Sequence, residues 1–448
     1  MAKIVPFRAL RYDLKRLSRP GSVMAPPYDV IPPALQEELY ARDPHNVVRL
    51  ILGRTGTEDH EGDNRYTRAA ADYKAWQESG VLLRDAAASL YLYDQEYFLE
   101  SGEKVIRKGF MALTRLEDFS SGVVKPHEKT LAGPKTDRLR LTKACGANFS
   151  PIFSLYADSC CVLEALTRDL RGGAPEIEVS DDDGVIHRLW QVSDPAIISR
   201  AQNLLDAKPL FIADGHHRYE TALNYRDFMR SQHPGFTGRE LFNYVLMYFA
   251  NMEDQGMQIF PTHRLIFNLS DFRLEPFIES LDDSFDIETV PLDPASAGER
   301  QRVRQLLAAK GAGGHAIGLY AGGERCFLLT LRNDKVMDRF FPEKAPKALK
   351  TLDVSILHRL ILEDLLGITI EAQEQQLNLK YVKNFDEPFE RVQSGEFPLA
   401  FLMNPTRMSE VRDVANAGEK MPQKSTYFYP TLLSGLVINP IIPGESAE

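Results

Sequence analysis

Leu210-Phe211-Ile212-Ala213-Asp214-Gly215-His216-His217-Arg218-Tyr219-Glu220 passes from an apolar run through a polar turn into a helical spacing that continues to Met229. The apolar run reads as a buried strand and Tyr219 to Met229 as a helix, so Asp214 to Arg218 lies on a strand-to-helix turn. Such a turn is a natural seat for phosphate. Gly215 lets the backbone approach an anion, the first N–H groups of the helix point out of its positive end, and Arg218 offers a fork of donors suited to phosphate oxygens. Asp214 faces the same place as a metal ligand or base. His216 and His217 can donate to phosphates or stabilise charge as it develops. The plainer reading has Asp214 simply capping the helix, but a cap does not call for two histidines and an arginine behind it.

The surroundings of this turn read as α+β rather than a regular βαβ alternation. Alternating Ser89-Leu90-Tyr91-Leu92-Tyr93 and Gly109-Phe110-Met111-Ala112-Leu113 predict a hairpin or meander, and Ile152 to Tyr156 a further strand. Tyr66, Ala70, Tyr73 and Trp76 mark one apolar face of a helix from Asn64 to Ser79, and Asp194-Pro195 opens another that runs to Leu205. Beyond Asn268 the style changes. Helices at Leu274–Leu281 and Arg300–Lys310, strands within Ala316–Leu331, and an amphipathic helix Val354–Leu366 with Asp353 as its cap predict a second domain over 268–448. Residues 1–267 then form the first domain, to which the C-terminal tail can return.

Two more constellations carry chemistry. Between Ser120 and Phe149 apolar periodicity is lost, and Lys125, Lys129, Lys135, Arg138, Arg140 and Lys143 face only Glu128 and Asp137. In Lys125-Pro126-His127-Glu128-Lys129-Thr130 the glutamate lies among cations, which keep it ionised and able to take a proton from a hydroxyl, while the cations balance a polyphosphate. A solvated charged loop is the alternative. Met24-Ala25-Pro26-Pro27-Tyr28-Asp29 reads first as a shaped turn. Lys424-Ser425-Thr426 has no G-x-x-x-x-G before it, so a P-loop is absent, although Lys424 could reach phosphate from a folded-over tail.

The bulk properties narrow the class. A chain of 448 residues exceeds one ordinary core. The formal charge of −10 disfavours nucleic acid as a partner. No run approaches the roughly 18 apolar residues of a membrane span, and the start lacks a secretion signal, so a cytoplasmic enzyme is expected. Cys145, Cys160, Cys161 and Cys326 show no metal-binding spacing.

With these residues in hand, the chain resembles the domain-of-unknown-function family ten-fifteen over nearly its whole length. The likeness rests on Ala25 to Asp29, Pro126 to Thr130, Pro134 to Arg138, Asp214 to Glu220, Leu352-Asp353-Val354-Ser355 and Met421 to Pro430. The Asp-Gly-His-His-Arg turn in turn looks like the G-x-x-R signature of the ParB/sulfiredoxin superfamily, and above all like its kinases of free L-serine. The resemblance implies a ParB/sulfiredoxin-like mixed-sheet core with insertions, followed by a second α/β domain. It implies a kinase that uses ATP or ADP, with Mg²⁺, to phosphorylate the hydroxyl of free L-serine. Glu128 becomes the base. Asp214 holds the metal or hydroxyl, and His217 joins it in catalysis. Gly215, His216, Arg218, Lys135, Arg138 and Lys424 hold nucleotide and phosphate; His127, Lys129 and Tyr28 hold the substrate. The long separation of His127-Glu128 from Asp214 implies an insertion. Two other readings stay open: a nucleotide-binding switch without turnover, and a metal-dependent hydrolase with Asp214, His216 and His217 as ligands. Sulfiredoxin chemistry is disfavoured, because the turn has no cysteine.

Overall fold

The structure is a computed structural model describing residues 2–17, 19–99, 101–128 and 132–447, with the backbone alone at Ala132 and Pro134. It divides into two compact units that interleave along the chain. The first comprises Met1–Pro126, Thr130–Gln258 and Pro430–Glu448; the second comprises His127–Lys129 and Ile259–Tyr429.

In the first unit the described residues form a mixed sheet of nine strands. Its order is Val124–Lys125, Leu210–Asp214, Ile152–Tyr156, Tyr244–Asn251, Lys104–Arg115, Leu90–Phe98, Ile186–Val192, Ile177–Ser180, with Ile4–Val5 also on Lys104–Arg115. The expected hairpin is present, with Tyr93 opposite Gly109 in antiparallel register. Leu210–Asp214 runs parallel to Val124–Lys125 and antiparallel to Ile152–Tyr156. Tyr244–Asn251 is buried along its whole length, as its almost unbroken apolar sequence requires of a strand covered on both faces. One face carries Phe110, Ile152, Ile212 and Phe249 against Leu205 of the helix Pro195–Asp206 and Tyr219 of the helix His216–Gln232.

The other face is aromatic. Tyr248 meets Tyr93 and Phe153 edge-on, with ring centroids 5.4 and 5.3 Å apart, and the guanidinium of Arg107 lies 4.6 Å from the centre of the Phe153 ring. The C-terminal segment closes this face. Arg107 donates to the Pro430 carbonyl, Gln95 donates to the Thr431 carbonyl at 2.7 Å, and Leu433 N–H donates to the Tyr93 hydroxyl at 3.2 Å. Asn439–Pro440 then pairs with Ala147–Asn148.

The second unit has an antiparallel six-stranded sheet in the order Phe285–Pro291, Arg325–Leu331, Ala316–Tyr320, Leu399–Met403, His263–Ile266, Leu379–Val382. Helices cover both faces. Phe277 and Leu281 pack on one with Leu357 and Ile361; Val303 and Leu307 pack on the other with Phe389 and Val392.

The stretch expected to be one helix from Val354 is α-helical only over Asp353–Ile356, and becomes a π-helix over Leu357–Leu365. Leu366 N–H accordingly reaches back five residues to Ile361. Asp353 is not the cap: Leu352 occupies that position, and the Asp353 carboxylate pairs with His315 Nδ1 at 2.9 Å. Among the described residues no helix is long and apolar enough to cross a membrane.

Candidate phosphate site

Leu210–Asp214 is buried up to its last residue, where the chain leaves the sheet. A register shift between Ile212 and Asp214 sets Asp214 opposite Phe153. Gly215 follows at φ +90°, a left-handed conformation open to glycine at little cost, and the helix His216–Gln232 begins at once. Gly215 has no side chain with which to cap the first amides of the helix, whose positive end is therefore presented at this turn.

Arg218 folds back over Gly215. Its Nη2 donates to Asp214 Oδ2 at 2.5 Å and its Nη1 donates to the Pro151 carbonyl. A Cβ on Gly215 would lie 2.9 Å from both Cζ and Nε of Arg218. The glycine is thus demanded twice, by its φ and by the guanidinium above it. Arg218 also shares the lining of a small pocket of about 60 Å³ with Tyr28, Arg138, Ser150 and Thr221.

The helix Ala132–Cys145 packs beside His216–Gln232, and Lys135 Nζ donates to Glu220 Oε2 at 2.8 Å across that contact. Arg138 is buried. Its guanidinium stacks 4.0 Å from the centre of the Tyr28 ring, Nη1 donates to the Ile51 carbonyl at 2.6 Å, and Nε donates to Asp137 at 2.7 Å. Burial lowers its pKa to about 10. Burial, and after it the charge of Asp29, raises that of Tyr28, which also feels Arg138, Arg218 and Asp214.

Tyr28, Lys135, Arg138 and Asp214–Arg218 therefore all belong to the first unit. His127, Glu128 and Lys424 belong to the second. There His127 is buried, shares a 2.9 Å hydrogen bond between Nε2 and Thr426 Oγ1, and accepts from Met421 N–H through its carbonyl at 2.6 Å. Glu128 forms a bridge with Met421, and its charge is felt by Tyr381. Lys424 adopts φ +56°, and its carbonyl accepts from Arg264 at 3.2 Å. Lys129 lies outside the described residues.

The sequence reading missed Asp29, Pro151 and Glu220 as parts of this site. Asp29 and Glu220 stood inside motifs already marked, but the Pro151 carbonyl carried no side-chain signal. Among the described residues no three of His, Cys, Asp and Glu gather as a metal-binding group, so the hydrolase reading finds no such ligand set. Magnesium asks for less, since it takes one or two carboxylates and fills its remaining positions with water and phosphate oxygens. The half-exposed carboxylate of Asp214 meets that demand.

A chain built in this way, a mixed sheet with a glycine turn feeding a helix, can now be placed. Residues 4–355 match the model of the family described as Protein of unknown function (DUF1015), and the chain belongs to that family. No curated protein matches it. Among solved structures it is similar to a free serine kinase in complex with AMP, at 12% identity and a TM-score of 0.34, covering 71% of this chain and 86% of that one. It is also similar to a conserved hypothetical protein from Pyrococcus furiosus, at 14% identity and a TM-score of 0.32, covering 71% and 90%. SbnI with C-terminal truncation from Staphylococcus aureus matches at 11% identity and a TM-score of 0.33, covering 73% and 86%.

Proposed function

We propose that this protein is a nucleotide-dependent kinase that phosphorylates the hydroxyl of free L-serine to O-phosphoserine, in the cytoplasm, with ATP or ADP as donor. The observation that supports it most is the turn itself: an apolar strand ending in Asp214, a left-handed glycine that supplies no side-chain cap, and a helix start carrying two histidines and an arginine. The motif resemblance to free-serine kinases supplies the acceptor.

In this reading the serine oxygen attacks the terminal phosphorus of the nucleotide, a new P–O bond forms, and the bond to the leaving nucleoside phosphate breaks. The hydroxyl proton must pass to a base, the role that the motif resemblance gives to the Glu128 carboxylate. The first-turn amides after Gly215, with His216 and His217, hold phosphate oxygens; such transfers need placement and charge neutralisation more than covalent catalysis. Magnesium, when bound, would neutralise phosphate charge, with Asp214 as its protein ligand. Arg218 holds Asp214 in place through their ion pair and can add a donor to phosphate if that pair opens. Lys135 and Arg138 act from behind: one ties the two helices through Glu220, the other fixes Tyr28.

The test is O-phosphoserine formation from L-serine with ATP or ADP and Mg²⁺, followed by mass spectrometry. Product is expected with one donor, and a loss of at least about a hundredfold in Asp214→Asn and Glu128→Gln. No product with either donor refutes the reading. Nucleotide binding without turnover would favour a switch instead.

A further inference from the structure

The second unit holds a pocket of about 420 Å³, within the usual size range of small-molecule sites. Phe341, Pro342, Leu349, Ile370 and Tyr381 give it apolar and aromatic walls. Three polar side chains that line it, Ser355, His358 and Gln373, are at most 4% exposed, yet Ser355 Oγ, His358 Nε2 and Gln373 Oε1 have no hydrogen-bond partner. Unsatisfied buried atoms are scarce in folded proteins, and three on one pocket call for an explanation.

The orientation of Gln373 is determined by its surroundings. Its Nε2 donates to the His358 carbonyl at 3.1 Å and to the Ile368 carbonyl at 2.8 Å. A flipped amide would set its oxygen against two carbonyls, so Oε1 is the atom left without a donor. Burial, and after it the charge of Arg264, lowers the His358 pKa to about 3, against an opposing contribution from the Gln373 carboxamide, which lies close to the ring but outside full hydrogen-bond geometry. The ring is neutral. His358 is moreover the second residue of the π-helix, a rare conformation that recurs at functional sites. Ser355 closes the Leu352–Ser355 motif, and Pro422 on the wall belongs to the Met421–Pro430 segment. Two of the sequence motifs, Leu352–Ser355 and Met421–Pro430, thus converge here.

We infer that this pocket binds a neutral, flat small molecule whose edge sets an N–H donor beside a hydrogen-bond acceptor, as in a heteroaromatic base or a cyclic amide. Gln373 Oε1 can only accept, so the ligand must donate to it. The Ser355 hydroxyl supplies a proton to the neighbouring acceptor, and His358 Nε2 takes the tautomer the ligand requires. The three unpartnered groups are themselves neutral, and the charged side chains on the lining carry both signs, Lys344, Arg359 and Lys420 against Glu374 and Glu419. Arg359, on the pocket wall, is already tied to Glu363 at 2.7 Å. Aromatic and proline walls favour a planar ring. The pocket is lined by residues of the second unit alone, and its assignment does not rest on the kinase reading.

Nicotinamide, uracil and adenine are the probes, titrated into the full chain by calorimetry, with benzoate as the charged contrast. One-site binding of at least one neutral probe is expected, weakened about tenfold by Ser355→Ala and abolished by Ala345→Trp, which fills the pocket from a half-buried position. Ser355→Ala should leave the melting temperature of the free protein unchanged or higher, since its hydroxyl has no partner to lose. The inference is overturned by silence of all three neutral probes, by benzoate binding equally well, by binding that ignores both substitutions, or by a marked loss of stability in Ser355→Ala.

Discussion

Gly215→Ala isolates the turn on which the phosphate seat depends. An L-residue at φ +90° costs about 1–2 kcal/mol of backbone strain. The new methyl group would also lie 2.9 Å from Arg218 Cζ and Nε, so the guanidinium must withdraw from Asp214 and from the Pro151 carbonyl. Charge-assisted bonds of this kind contribute about 1.5–3 kcal/mol, less here because the Asp214 side chain is 46% exposed. Together they predict a loss of about 2–4 kcal/mol. Both tryptophans, Trp76 and Trp190, lie in the first unit, so tryptophan fluorescence during urea unfolding reports on that unit separately from the second. In an Arg218→Ala background only the backbone part should remain, about 1–2 kcal/mol. A Gly215→Ala protein within about 0.5 kcal/mol of wild type, or an equal loss with and without Arg218, would refute the reasoning.

Arg138→Met strips the Ile51 carbonyl of its donor and removes the stack on Tyr28, and should cost about 2–4 kcal/mol in the same fluorescence assay; Arg138→Lys should not restore it, because an ammonium lacks the planar fork, and a loss under about 1 kcal/mol would show that the buried guanidinium is dispensable. His315 has its pKa raised, first by its hydrogen bond to Asp353 and against the opposing effect of burial. A raised folded pKa means that its stabilisation is complete below the unfolded value of about 6.5 and disappears as pH climbs through the folded value. The gap in unfolding free energy between wild type and His315→Asn should therefore be largest in mild acid, about 0.5–1 kcal/mol, and close above neutrality; a gap that widens with pH contradicts the pairing.

The strand, glycine and helix of the seat were legible because each is a local property: four apolar residues, a residue without a side chain, and a period that repeats to Met229. The hairpin of Leu90–Phe98 with Lys104–Arg115 was legible for the same reason. The helix after Asp353 shows how far periodicity goes. An apolar stripe separates helix from strand, but its period did not distinguish an α-helix from the π-helix over Leu357–Leu365. The cationic segment, helical over Ala132–Cys145 where a loop was expected, shows where charge counting stops. Lys135 and Arg138 read as counterions for polyphosphate, yet one meets Glu220 and the other is buried under Tyr28, partners lying far away in the chain. A one-dimensional pattern records charge and not whom it faces. The interleaving of the units, with His127–Lys129 in one and Thr130 onward in the other, likewise left no compositional trace.

The closing of the aromatic face by Pro430–Leu433 has a consequence for biosynthesis. Those residues leave the ribosome after every residue of the second unit, so the nascent first unit waits with Arg107, Gln95 and Tyr93 lacking these partners while Ile259–Tyr429 is being made. Chaperones would meet a basic, ring-lined surface during that interval. A message cut short before Pro430 would leave that face unsealed and would also remove the Asn439–Pro440 strand from Ala147–Asn148, marks by which quality control could recognise the shortened chain.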